Sequence, residues 1–154
     1  MMFLSFFVSS CIDKEEDILN QDYLIFGHFY GECRGESCVE IFKLKNNRLF
    51  EDIKDQYPSP ADFYKGTYEP LSEEQYELAR ELIQYFPQQL LEEEGRVIGQ
   101  PDAGDWGGLY IEYGYQGKRQ FWLIDQKKSN LPEYLQIFRD KVNERIALIN
   151  GWKE

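Results

Sequence analysis

The stretch from Asn130 to Ile149 constrains this 154-residue chain more than any other, because Tyr134, Leu135, Phe138, Val142, Ile146 and Ile149 recur at helical spacing. They would lie on one face of a helix of about five turns. Asn130-Leu131-Pro132-Glu133 ahead of them supplies a cap candidate and a proline suited to a first helical turn. A helix with one apolar face needs a surface to cover, and in a small domain that surface is a sheet.

The sequence offers the strands. Tyr23 to Tyr30 is a β-rich run, and Cys38 to Leu44 is another with partial alternation. Asn46-Asn47 is a two-residue turn able to take positive φ, and Arg48 to Ile53 would hairpin back from it. Lys54 to Pro70 carries Pro58, Pro60, Gly66 and Pro70, which is loop chemistry with at most a short strand near Tyr64 to Tyr68. Ser72-Glu-Glu-Gln75 has the pattern of a capping box. Tyr76, Ala79, Leu82, Ile83 and Phe86 follow at helical spacing until Pro87 ends or kinks the run. Gln88 to Glu94 would add a short helical turn closed by Gly95, its acidic cluster a solvated face. Leu109 to Tyr113 and Phe121 to Ile124 read as two strands joined by Gln116-Gly117. The order predicts one α+β domain over 21–150, with an antiparallel sheet of about four to five strands covered on one face by two helices.

The 17 basic residues against 28 acidic ones give a net charge of −11, which argues against a nucleic-acid partner and against adhesion to anionic lipid through a basic face. A membrane association would need a covalent anchor. Residues 1–10 are apolar through Phe7 and Val8 and then turn small, so that Val8-Ser9-Ser10-Cys11 resembles the lipobox of a bacterial lipoprotein signal peptide. The run is far short of the roughly 20 apolar residues of a spanning helix. No Lys or Arg precedes it, which departs from the usual leader. The competing expectation is an apolar N-terminal strand with a buried Cys11. On the lipoprotein expectation Cys11 is lipidated and residues 11–20 form a charged tether. Within it, Lys14-Glu15-Glu16 resembles the short signal that sends lipoproteins to the outer surface in some Gram-negative lineages.

Lipidation of Cys11 would leave an even pair, Cys33 and Cys38, in a segment where Gly31 and Gly35 permit a sharp turn. A disulfide is the leading expectation. A metal site with His28 lacks a fourth ligand and the usual zinc spacing. A catalytic thiol would have His28 as its only imidazole. Asp102-Ala-Gly-Asp105-Trp106-Gly-Gly108 is the most unusual loop, and it departs from the calcium pattern Asp-x-Asp-x-Asp-Gly. It reads either as a tight turn with Trp106 over the sheet edge or as a partner-binding loop through Asp102, Asp105 and Trp106. No zinc-protease, nucleophile-elbow or phosphate-loop motif occurs, so neither a catalytic residue nor a cofactor or metal is assigned.

Cys33 to Cys38, Gly66-Thr-Tyr68, Leu71-Ser-Glu-Glu-Gln75 and Asp102 to Asp105 together resemble small bacterial envelope lipoproteins without an established activity. The element order is also distantly similar to emfourin, an inhibitor of thermolysin-type metalloproteases, as a fold analogy. These resemblances imply a lipid-anchored, non-enzymatic module of the envelope that contacts a protein or glycan, with a purely structural lipoprotein or a protease-inhibitor-like protein as alternatives. Intact mass of protein expressed from its native upstream region checks the anchor and the thiols together. The expected product begins at Cys11, carries diacylglyceryl and acyl groups and is two hydrogens light, whereas Cys11→Ser stays unprocessed.

Overall fold

The computed structural model describes Asp22–Gly151. The leader, Cys11 and the tether lie outside these described residues. The strands are β1 (Tyr23–Phe29), β2 (Val39–Lys45), β3 (Arg48–Asp52), β4 (Tyr68–Pro70), β5 (Val97–Ile98), β6 (Gly108–Tyr115) and β7 (Lys118–Asp125). The α-helices among the described residues are α1 (Glu73–Ala79) and α2 (Glu133–Ile149), and 3-10 turns at Arg80–Tyr85 and Gln88–Glu92 follow α1. The domain is α+β, but its sheet is larger than expected and is mixed. Among the described residues seven strands run in the order β4-β3-β2-β1-β6-β7-β5. All neighbours are antiparallel except β5, which lies parallel to β7 through Val97–Leu123 and Ile98–Ile124. The added strands are short edge pieces of three and two residues, too brief to carry a periodicity.

Local chemistry sets the turns and caps. Asn46 and Asn47 both take positive φ, 54° and 56°, as a two-residue hairpin turn requires. The Ser72 hydroxyl accepts from the Gln75 amide at 3.2 Å while Gln75 reaches back to the Ser72 amide at 3.2 Å, completing the capping box. Pro132, rather than Asn130, occupies the N-cap of α2. Asn130 is withdrawn from capping because its side-chain amide donates to Asp125 at 2.8 Å.

The alternation of the central strands separates two cores. Leu24 and Phe26 of β1, Phe42 and Leu44 of β2, Leu109 and Ile111 of β6, and Trp122 and Ile124 of β7 face the helices. They meet Leu82, Phe86, Leu135, Phe138, Val142 and Ile146. Phe86 is the aromatic hinge of this layer, stacked on Tyr113 at 4.3 Å and edge-on to Phe138 at 5.7 Å. The opposite face, built from Ile25, Phe29, Val39, Ile41, Tyr110, Phe121 and Leu123, is covered by Phe63 and Tyr64 from the proline-rich loop. The helices therefore cover one face, as expected, and the loop covers the other. Two-sided burial explains why Leu24, Ile25 and Phe26 follow one another in β1 without a polar residue between them. Strand approach is close where β1 meets β2: a Cβ at Gly27 would lie 2.1 Å from the Glu40 carbonyl oxygen. Among the described residues no helix is long and apolar enough to cross a membrane.

Candidate functional site

Among the described residues three carboxylates are removed from water almost completely, Asp52 at 2 %, Glu112 at 0 % and Asp125 at 0 % exposure. Each would be costly unless saturated with donors. Asp52, ending β3, accepts from the Tyr64 hydroxyl at 2.6 Å, the Thr67 amide at 2.5 Å and the Asp55 amide at 3.1 Å, so it clamps both ends of the loop that covers the second face. Glu112, in the middle of β6, accepts from the hydroxyls of Tyr23 and Tyr110, each at 2.7 Å, and from Arg119 at 2.7 and 3.0 Å. Burial and the charge of Glu112 push the Tyr110 hydroxyl pKa up, so it stays a donor. The Tyr110 oxygen in turn accepts from the Tyr64 amide at 3.0 Å, linking the two clamps.

Asp125 closes β7 and organises the loops at that end of the sheet. It accepts from the amides of Gln100 and Lys127 and the indole N–H of Trp106, all at 2.7 Å, and from Asn130 at 2.8 Å. Burial by itself would raise its pKa, but these donors outweigh burial and hold the carboxyl below its ordinary value.

Asp102, in the same loop as Trp106, has a φ of 59°. One of its oxygens accepts from the Gly31 amide at 2.8 Å and the Tyr57 hydroxyl at 2.9 Å, and the other from the Gly107 amide at 3.0 Å. A single side chain thus joins the β1–β2 connection, the proline-rich loop and its own loop. Tyr57 is 53 % exposed, yet its ring packs edge-on against Phe29 at 5.0 Å. Partial burial and the Asp102 bond push its hydroxyl up to about 12. Cys33 and Cys38 are joined in a disulfide, with Cys33 exposed and Cys38 buried. That bond engages both thiols, so neither is left for a metal or a nucleophile. Buried His28 stands at the foot of this loop, where its Nε2–H donates to the Ser37 carbonyl oxygen at 2.9 Å.

The structure therefore gathers Cys33, Cys38, Asp102, Asp105 and Trp106 at one end of the sheet with a residue the sequence did not single out, Tyr57. The result is a platform of three cross-linked loops. Asp102 accepts from three donors within the joined loops and the Trp106 indole N–H donates to Asp125, while Asp105 is exposed at φ 60°. Trp106 is half-buried, with Gly104 against its ring and the Lys127 ammonium 5.3 Å from the ring centre. Asp52, Glu112 and Asp125 also went unseen in the sequence. Glu112 carries a faint signal, since it shares strand parity with Tyr110, but a charge at that position reads equally well as solvent-facing. Among the described residues no three His, Cys, Asp or Glu side chains converge as metal ligands. No protein-family model, curated protein or solved structure matches the chain.

Asp102→Ala is expected to cost about 1–2 kcal/mol, because the freed donors are partly solvated. Amide exchange at Gly31 and Gly107 should quicken by about tenfold while the amides of β1 and β6 hold. A second expectation concerns acid. A carboxyl whose folded pKa is depressed contributes stability that is present above its unfolded value near 3.9 and lost as pH falls through the folded one. In urea unfolding, the stability gap between the native chain and Asp125→Asn should be widest above about pH 4 and narrow as pH falls toward 2.

Proposed function

We propose that this protein is an envelope lipoprotein, anchored through Cys11, whose domain is a non-enzymatic module that binds a protein or glycan through the Cys33–Cys38 loop, Tyr57 and the Asp102–Trp106 loop. The observation that carries this reading is polarity along β1. The described chain enters at Asp22, beside Tyr23, whereas the platform stands beyond Phe29 at the other end of the strand, about 20 Å away at 3.4 Å per residue. An anchor at one end and a rigid loop surface at the other is the arrangement by which a tethered domain presents a binding face away from the bilayer.

Rigidity is what makes the surface suited to binding. A disulfide, the Asp102 clamp and the Asp125 clamp fix the loops before any partner arrives, so little conformational entropy is lost on contact. Tyr57 supplies an exposed aromatic with only its own rotamer to order, and such residues are favoured at recognition surfaces. The bland alternative, a structural lipoprotein without a ligand, would be favoured by complete burial of Trp106, Trp122 and Tyr113. Trp122 is 1 % exposed, but Trp106 and Tyr113 are half-buried. Inhibition of a metalloprotease by the disulfide loop is a narrower form of the binding reading.

A photo-crosslinking residue placed at Tyr57 in the cell should yield a discrete adduct that the same residue at Ile137, exposed on α2, does not. Absence of any adduct from positions 34, 57 and 105 would overturn the binding module, and failure to inhibit co-secreted metalloproteases would remove the inhibitor form alone.

A further inference from the structure

At the end of the sheet away from the platform, strand register lines up a row of residues on the loop-covered face. Arg48 of β3 lies opposite Lys45 of β2, and Lys45 lies opposite Tyr23 of β1. Tyr23 in turn lies opposite Gly114 of β6, and Gly114 opposite Arg119 of β7. At about 4.8 Å between neighbouring strands the row is about 19 Å long. One step inward on the same face, Phe50 lies opposite Lys43 and Glu112 opposite Phe121.

The fold leaves the cations of this row without exposed partners. Lys45 and Arg48 face each other directly, and like charges opposed across a strand pair cost stability. No ion pair or hydrogen bond among the described residues uses the side-chain nitrogens of Lys43, Lys45 or Arg48. The carboxylate that acts on Lys43 is Glu112, whose oxygens already accept from Tyr23, Tyr110 and Arg119. Asp22 alternates to the opposite face from Tyr23 and accepts from the Gln116 amide at 3.4 Å. Glu93 and Glu94 line the recess that Arg119 borders, but neither forms an ion pair with it. In a chain with 28 acidic and 17 basic residues, a row that opposes like charges and admits no exposed carboxylate is not what sheet stability favours.

Aromatic rings hold these cations in place. The Arg48 guanidinium lies 5.4 Å from the Phe50 ring centre, and that of Arg119 lies 3.8 Å from the Phe63 ring centre. Lys43 and Lys45 lie 5.0 and 5.9 Å from the ring centre of Tyr23. Such contacts fix a cation without consuming its N–H donors. The Tyr23 ring fills the space over Gly114, where a Cβ would come within 2.1 Å of it. Arg48 and Arg119 are exposed at the two ends of the row, with half-buried Lys45 and Tyr23 between them.

We propose that this row binds a linear acidic polysaccharide, with carboxylates of the sugar on Arg48, Lys45 and Arg119 and a sugar ring against Tyr23. The length suits a few units of an extended chain, and the alternation of cation and ring suits a polymer that carries each charge on a ring. At physiological ionic strength charges are screened beyond about 8 Å, so a ligand lying along the row meets these cations before the net charge of −11. The choice of glycan over nucleic acid, which also joins rings to charges, rests on the envelope reading. The row is a second surface, at the opposite end of β1 from the platform.

The test titrates the full chain carrying Cys11→Ser with oligogalacturonate, beside neutral maltodextrin and single-stranded oligothymidylate. The acidic sugar is expected to bind, more weakly as salt rises, and the neutral one is not. Arg48→Glu should weaken that binding by about tenfold or more. Its Tm should hold or rise, because the new carboxylate faces Lys45, so binding and stability move apart as they would not for a merely structural cation. Tyr57→Ala, on the platform, should leave the affinity unchanged. Failure of the folded chain to bind oligogalacturonate, full affinity in Arg48→Glu, or tighter binding of oligothymidylate would each overturn the proposal. Loss of sugar binding in Tyr57→Ala alone would overturn the row and move the glycan to the platform.

Discussion

Irregular backbone cannot be buried unless its polar groups find partners, and this domain depends on meeting that requirement with carboxylates. One face of the sheet has helices, whose hydrogen bonds are internal. Among the described residues, the loop between β3 and β4 is what excludes water from Ile25, Phe29, Ile41, Tyr110 and Phe121 on the other. Asp52 supplies acceptors for the loop's amides and for Tyr64, and Glu112 accepts directly from the Tyr23 and Tyr110 hydroxyls and from Arg119. Arg119, itself half-exposed, brings the cation that balances the fully buried Glu112 carboxylate.

The same principle builds the platform. Asp125 and Asp102 do for the loops at the end of β7 what Asp52 does for the loop on the second face. The difference is exposure: donors to Asp102 stand near solvent, and Tyr57 and Asp105 project outward from a fixed base. Scaffold chemistry and surface chemistry are thus separated within one loop, with Asp102 and Trp106 turned inward and Asp105 outward. A rigid base under exposed side chains is the property a recognition surface needs and a linker does not.

Much of the fold was legible. The capping box at Ser72, the paired asparagines at the β2–β3 turn, the apolar stripe of α2 and the Cys33–Cys38 pair follow from residue chemistry within a few positions of each other. The fold class and the covering of one face by helices followed from their order. The parallel strand β5 did not, because Val97 and Ile98 become a strand only through contact with Leu123 and Ile124, which lie 26 residues further on.

The sequence by itself determined the local elements, the helical layer and the residue types at the sheet's end, because caps, turns and apolar periods are set by neighbours along the chain. Only the tertiary structure decided that a proline-rich loop would serve as the second cover, that Glu112 faces inward, and that Tyr57 meets Asp102 across 45 residues. Whether a carboxylate in a strand faces water or a core depends on what lies over it. That covering is assembled from distant segments, so no local pattern records it.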